Sequence, residues 1–598
     1  MKKILEQISR RRFMGLISGA TAFFSAGRFL PLSHQSLSST GMALAASYPD
    51  YDIADLKSDN PHGGQLVAHA LKREGVKYLF GLCGGHINPI FDGCLDEDIE
   101  VIGTRHEQAA AHMAEAWSLT TGQMGVCAVT AGPGLTDAIT GVANAYENRV
   151  PMLILGGHSD VKDNDIGSLQ DINQINLFES ITKWARICHK TDRIPEYIAT
   201  AYRHALSGRP GPVYLELPQD ILRAKVSKSG VKFPKNYRTL EKPSGSSRAL
   251  KAAVDIIEQS KRPLIIAGAG CRFSEAGEVL AAFAEHRGIP VITRGGGRGI
   301  IPDSHPLSLG PSCGIWGPIG IADTVILLGS RLNFQLGYGK YFSKSAKIIQ
   351  VDTDSTNIGF NRGADLGIVG DIKLVLEELK EKIPENPDRQ WVRRCKKRVE
   401  ATEKWMHGRA QFEGTPIHPK KLAESVRDVA GGEASYVVDG GWVSMWGGET
   451  LPAERPGECI GVQTGPMGTL GVGLPYALAM KMAHPDRPVI LFTGDGSFGF
   501  NAVEIDTAVR YKIPIVCVVA NDQAWGMIKS AQWYHYGPDR LVGVDLGLVR
   551  YDKWVESFGG HGEFVENPSE IKPAIERALK SGKPACVNVL VRTAPHRM

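Results

Sequence analysis

Short apolar runs alternate with amphipathic stretches along nearly all of the chain after residue 55. KYLFGL, IEVIGTRH, GVCAVTAGPG, VPMLILGG and PVYLELP read as strands, with helical stretches such as GLTDAITGVANAYENR between them. A second set follows in PLIIAGAG, IPVITRG, TVILLGS and KIIQVD, and a third includes PVILFTGDG and IPIVCVVAND. Strands that alternate with helices predict parallel sheets covered on both faces. The pattern breaks at a polar linker, Lys225 to Ser247, and at a charged connector predicted to be helical, Asp388 to Gln411. The fold class is therefore α/β: three doubly wound parallel-sheet domains over 55–225, 248–382 and 418–598. A chain of 598 residues is too long for one core, which agrees with three.

The first 46 residues do not share this pattern. Ser9-Arg10-Arg11-Arg12-Phe13-Met14 precedes a moderately apolar stretch, Gly15 to Leu30, and small residues near Ala43-Leu44-Ala45-Ala46. This predicts a twin-arginine export signal over 1–46, an expected partner in the export machinery, and a location in the periplasm or at the outer face of the cytoplasmic membrane. The leader changes the charge picture. It carries six basic residues against Glu6, a net of +5, whereas the whole chain has a formal +4. The remainder is near −1, and no basic patch points to nucleic acid. The ten cysteines lack metal spacing, and Cys127 and Cys517 lie in apolar strand patterns as reduced core residues.

Candidate chemistry concentrates in Gly494-Asp495-Gly496-Ser497, followed about one helix and one strand later by Ala520-Asn521-Asp522. Both polar clusters fall at the carboxyl ends of strands, the edge at which open α/β sheets bind ligands. Gly496 permits close backbone approach, and the N–H groups of Gly496 and Ser497 at a helix start suit a phosphate. Oxygens of Asp495 and of Asp522 or Asn521 suit a magnesium ion bridging a diphosphate. A lone Gly-Asp-Gly is common in turns; the full strand–turn–helix–strand arrangement is not.

On these residues the chain resembles the thiamine-diphosphate enzymes of the acetolactate synthase superfamily, from about Asp55 to the C-terminus. The resemblance implies pyrimidine-binding, central and diphosphate-binding domains, with thiamine diphosphate and Mg2+ as cofactors. It implies Asp495, Asp522 and the Ala524 carbonyl as metal ligands, with Asp522 standing where many relatives have Asn. Gly494, Gly496, Ser497 and Met527 belong to its cofactor site. It places the activating acid at Glu107, within Arg105-His106-Glu107-Gln108. There the carboxyl favours the imino tautomer of the aminopyrimidine, whose nitrogen takes the thiazolium proton to give the ylide. Leu470 matches the apolar wedge that keeps the cofactor folded, and Gly468 the carbonyl that accepts from its amine. Family members build the site between two subunits, which implies a homodimer or homotetramer.

Selectivity residues resemble a different branch. Cys83-Gly84-Gly85-His86 and Gln170 match benzaldehyde lyase and the 2-hydroxyacyl-CoA lyases, where a His and a Gln handle protons on the substrate. His106 and His158 are further lining candidates. Acetolactate synthases carry a bulky Trp four residues after the motif Met; that position is Ala531 here, with Trp533 two residues away. In the central domain, Gly268-Ala269-Gly270, Gly329-Ser330-Arg331 and Asp352 permit the FAD or ADP that relatives hold. The expected function is a C–C lyase or carboligase acting on a small carbonyl substrate through an ylide and an enamine, acetolactate synthase-like on 2-oxo acids. The alternatives are an acyloin or 2-hydroxyacyl-CoA lyase and, more remotely, a non-catalytic cofactor-binding subunit.

Overall fold

The computed structural model describes residues 55–239, 241–408 and 411–596. The twin-arginine leader over 1–46 lies outside the described residues. No helix among the described residues is long and apolar enough to cross a membrane.

Three parallel sheets form where the apolar runs predict them. The first contains β1 (Tyr78–Gly81), β2 (Glu100–Gly103), β3 (Gly125–Val129), β4 (Met152–His158), β5 (Ala185–Ile187) and β6 (Pro212–Pro218), in the order β2-β1-β3-β4-β6-β5. The central sheet contains β7 (Pro263–Ala267), β8 (Val291–Thr293), β9 (Thr324–Leu328), β10 (Lys347–Asp352) and β11 (Leu366–Val369), in the order β11-β10-β9-β7-β8. The third contains β12 (Ser435–Val438), β13 (Cys459–Gly461), β14 (Val489–Gly494), β15 (Val516–Asn521), β16 (His561–Val565) and β17 (Ala585–Leu590). Its order, β13-β12-β14-β15-β17-β16, repeats the topology of the first sheet. Strands β3, β4, β6, β9, β12, β14 and β15 are buried along their whole length. Burial on both faces explains why they read as continuous apolar runs and not as alternating ones.

The first and third domains share one hydrophobic core. Helix Glu107–Thr121 packs against helix Gly473–Ala483, and both are buried on almost every side. Alanines along both helices, with Gly473 opening the second, allow the close approach. At the seam the buried Glu115 carboxylate accepts from Asn144 Nδ2 (2.8 Å) and Asn148 Nδ2 (2.7 Å), and Asn144 Oδ1 accepts from Thr469 Oγ1 (3.0 Å). The connector forms helix Gln390–His407, and its Cys395 and Val399 enter the central core.

One element differs from expectation. The stretch after Gly494 reads as a single amphipathic helix, but it divides into helix Asp495–Asn501, a 3-10 turn Ala502–Glu504 and helix Ile505–Arg510. Tertiary bonds cause the break: Asn501 Nδ2 donates to the Gly471 carbonyl (2.7 Å), and Glu504 is drawn toward the first domain.

Candidate active site

Gly494 pairs with Ala520 across β14 and β15, so Asp495 and Asn521 leave the third sheet side by side. Strand order reverses between β12 and β14, and the crevice at that switch point is where such sheets bind ligands. A cleft with about 230 Å³ of internal space lies there. Gly468, Leu470, Gly494, Asp495, Gly496, Ser497, Asp522, Ala524 and Met527 all line it. Every sequence-predicted residue of the diphosphate and metal set therefore meets in one cleft.

Asn521 and Asp522 separate clearly. Asn521 is fully buried and turned into the sheet: its Nδ2 donates to the Val549 carbonyl (3.0 Å) and Asn588 Oδ1 (3.1 Å), and its Oδ1 accepts from Gln523 N–H. Asp522 faces the cleft, with Oδ2 accepting from Thr593 Oγ1 at 2.7 Å. Asp495 is buried, and its Oδ2 has no hydrogen-bond partner. Burial first, then the charge of Asp522, pushes the Asp495 carboxyl up to about 7. Two neighbouring carboxyls, one with an orphaned buried oxygen, suit a cation by donor chemistry.

The glycine at 496 has a second reason. A Cβ there would meet the Trp525 ring at 2.5 Å, so Gly496 admits the indole that walls the cleft. Gly468 adopts φ +65°, a conformation that glycine takes without penalty.

Glu107, His86 and Gln170 gather elsewhere, at the carboxyl edge of the first sheet. Glu107 is the first residue of its helix, capped by the preceding His106, whose side chain accepts from Gln108 N–H. Burial, outweighing its backbone hydrogen bond, raises the Glu107 carboxyl above its ordinary range. A Cβ at Gly134 would meet both Glu107 Oε1 (3.3 Å) and Thr130 Cγ2 (2.8 Å), so Glu107 and Thr130 flank the same turn. Thr130 Oγ1 in turn lies 3.0 Å from His86 Nδ1. Burial, then His158 and Arg223, lowers the His86 pKa. Gln170 is the loop residue against Gly132, at φ +62°. His158 is buried nearby, with Nε2 3.4 Å from Asp171 Oδ1. His106 is instead half exposed and points to Asp137. Ala531 and Trp533 sit on helix Gly526–Tyr536, which contributes Met527 and Ile528 to the cleft wall.

None of the cleft-lining residues comes from the first domain. Glu107 and the carboxylate pair thus occupy different edges of the same chain.

Several residues of this architecture carried no local signal. Asp439, fully buried after β12, accepts backbone N–H groups of Gly440 (2.6 Å), Gly471 (3.0 Å) and Gly473 (2.9 Å). It thereby ties the segment bearing Leu470 to the floor of the cleft; burial pushes its carboxyl up to about 6. Glu504 accepts from the backbone N–H groups of Arg105 (3.0 Å) and His106 (3.1 Å), fixing the approach to Glu107. Gln335 of the central domain also reaches the cleft and donates to the Gln463 carbonyl (2.9 Å).

Comparison with known families agrees with this geometry. Residues 61–177 match the N-terminal TPP binding domain of thiamine pyrophosphate enzymes, 250–379 the central domain and 439–589 the C-terminal TPP binding domain. The chain belongs to the thiamine pyrophosphate enzyme family. It is 33% identical over 533 residues to a probable acetolactate synthase of Mycobacterium bovis, covering 88% of this chain and 95% of that protein. It is 34% identical to a probable acetolactate synthase large subunit of Methanocaldococcus jannaschii (89% and 92% covered). It is also 31% identical to a 2-hydroxyacyl-CoA lyase of Arabidopsis thaliana (90% and 97% covered). Like other thiamine pyrophosphate enzymes, it is a thiamine-diphosphate-dependent enzyme. The cleft fits that cofactor: the orphaned Asp495 oxygen and Asp522 suit a cation, and the glycines at 494 and 496 leave backbone open to a diphosphate.

A second cleft lies at the edge of the central sheet, against the first domain. Gly268, Gly270, Gly329, Ser330 and Asp352 line it together with Arg149, Arg209, Arg294 and Arg331. Burial, and then Arg331, brings Arg149 down to about 10.

Proposed function

We propose that this enzyme breaks and forms C–C bonds beside a carbonyl, with thiamine diphosphate held between Glu107 of one chain and the Asp495–Asp522 cleft of a second copy. The observation that carries the reading is the split itself: a buried carboxyl of raised pKa on one edge and a diphosphate-type cleft on another, in a chain of this family. When bound, the cofactor supplies a nucleophilic carbon and an electron sink for the broken bond.

The chain's own residues supply placement and proton control. Asp495, Asp522 and Ala524 hold Mg2+ through hard oxygens. Leu470 and Gly468 both line the cleft, where they would serve as the apolar wedge and the carbonyl acceptor. Glu107, whose carboxyl burial raises above its ordinary range, is the acid that would hydrogen-bond a ring nitrogen. His86, disfavoured as a cation, stays neutral near pH 7; Thr130 occupies Nδ1 and leaves Nε2 to take a proton from a substrate hydroxyl.

Acetolactate synthase-like chemistry on 2-oxo acids is the leading assignment. A specific observation favours an acyloin or 2-hydroxyacyl-CoA lyase as the second reading: His86 and Gln170 both converge on the Thr130–Gly132 loop beside Glu107. An exported enzyme lacks CoA substrates, which favours the acyloin form. Purified protein with thiamine diphosphate and Mg2+, assayed on 2-oxo acids, acyloins and 2-hydroxyacyl-CoAs, tests the reading. Turnover of none of the three classes would refute it.

The four arginines and glycine-rich edges of the central cleft support a bound flavin or adenine nucleotide. The twin-arginine motif supports export of the folded, loaded enzyme to the periplasm or the outer face of the membrane. Fractionation of cells expressing wild-type and Arg11→Lys/Arg12→Lys chains tests that placement; cytoplasmic retention of both would contradict it.

A further inference from the structure

A second cluster of ligand-type side chains lies away from the cofactor cleft, where the central domain, the connector and the third domain meet. Cys313 comes from a central-domain loop, His407 ends the connector helix, Glu449 follows helix Trp442–Gly448, and His596 lies near the C-terminus. All four are buried, at most 7% exposed. The sulfur, nitrogen and carboxylate oxygen of Cys313, His407 and Glu449 lie within 4.8 Å of one another. His407 Nε2 is 3.3 Å from Cys313 Sγ, 3.1 Å from Glu449 Oε1 and 3.3 Å from Oε2. His596 Nε2 is 3.0 Å from Glu449 Oε2.

We propose that Cys313, His407 and Glu449, with His596 beside them as a partner of Glu449, form a structural site for a divalent cation of the zinc class.

The geometry favours a cation over a hydrogen-bonded cluster. One imidazole nitrogen has one in-plane direction for a proton or lone pair, yet Nε2 of His407 faces both a sulfur and a carboxylate. A cation placed among the three is served by all of them. Tetrahedral zinc with bonds of about 2.0–2.3 Å separates neighbouring ligand atoms by about 3.3–3.6 Å. The observed separations, 3.3 Å from His407 Nε2 to Cys313 Sγ and 3.3 Å to Glu449 Oε2, fall at the short end of that frame. The donor set of one thiolate, one imidazole and one carboxylate matches zinc in softness.

Charge counting agrees. Lys420 Nζ lies 3.3 Å from Glu449 Oε1 and 3.5 Å from Glu403 Oε1. With a dication bound by the Cys313 thiolate and Glu449, Lys420 balances Glu403, and the buried group is neutral as a whole. Lys420 takes Oε1, which leaves Glu449 Oε2, the oxygen nearest His596, for the cation. Aromatic rings close the surroundings: Trp446 lies against His407, His418 and His596, with centroids 5.2, 4.8 and 4.5 Å away. A closed, buried site of this kind is structural, and here it would staple three segments distant in sequence.

The test uses the full folded chain. After chelation and reloading with Co2+, wild type should show a near-ultraviolet thiolate-to-cobalt charge-transfer band. Cys313→Ser should lose that band, and Cys83→Ser, at the exposed cysteine, should keep it. X-ray absorption of zinc-loaded wild type needs no variant; it should show one sulfur at about 2.3 Å beside nitrogen and oxygen neighbours. A spectrum with nitrogen and oxygen alone, no band in wild type, or an unchanged band in Cys313→Ser would overturn the proposal.

Discussion

The Asp522 carboxylate stands close enough to Asp495 that its charge, added to burial, pushes the Asp495 carboxyl up to about 7. Asp522 itself is raised by burial, while Thr593 and Asp495 hold it back as hydrogen-bond partners. Two acids leave adjacent strands into one cleft, and a shared proton or a cation relieves their confrontation.

A pH dependence follows with a definite sign. Asp495 binds its proton more tightly folded than unfolded, so without metal its contribution to stability is lost as pH rises from about 4 through about 7. Magnesium must displace that proton, so affinity for Mg2+–thiamine diphosphate should increase between about pH 6 and 8. Asp522→Asn should keep binding and move the dependence to lower pH, because the neighbouring charge is gone. Asp495→Ala should abolish metal-dependent binding. Calorimetric titration across pH checks all three; pH-independent affinity in wild type would contradict the linkage.

Glu504 links the diphosphate domain to the approach of Glu107. Glu504→Ala removes the acceptor for the Arg105 and His106 N–H groups and should cost about 1–3 kcal/mol of stability. A shifted Glu107 should also slow turnover, while Glu504→Gln, which keeps one carbonyl acceptor, should recover much of both. Denaturant melts and steady-state rates measure this. Wild-type behaviour of Glu504→Ala would remove the link.

His86→Ala should leave cofactor binding intact and slow turnover by about ten- to a thousandfold. Transient kinetics should show the covalent substrate adduct building up before the C–C bond breaks. Weak cofactor binding in the variant would instead make His86 a structural residue paired with Thr130.

The strands and the placement of Asp495, Asp522, Glu107 and His86 after them were legible in the sequence, because buried parallel strands write continuous apolar runs with polar residues at their ends. Asn521 and Asp522 could not be told apart there. Their side chains leave opposite faces of the strand end, and only the sheet partner Asn588 reveals which one turns inward. Asp439 and Glu504 escaped notice because their partners lie far off in sequence, at Gly471 and Gly473 and at Arg105 and His106. Gly496 was assigned to diphosphate approach alone, since nothing local shows the Trp525 ring above it. The Cys313–His407–Glu449 cluster lacked any motif because its members come from three segments. The pattern of isolated cysteines held elsewhere: Cys127 and Cys517 are buried, and burial pushes their thiols up.

The most direct test of the central claim is proton exchange at the thiazolium carbon of bound thiamine diphosphate, measured by rapid-quench NMR in wild type and Glu107→Gln. With the cleft intact, both proteins should bind the cofactor. Exchange in the variant should be slower by about two to four orders of magnitude. Equal exchange rates in the two proteins, with cofactor bound in both, would contradict the assignment of Glu107 as the activating acid.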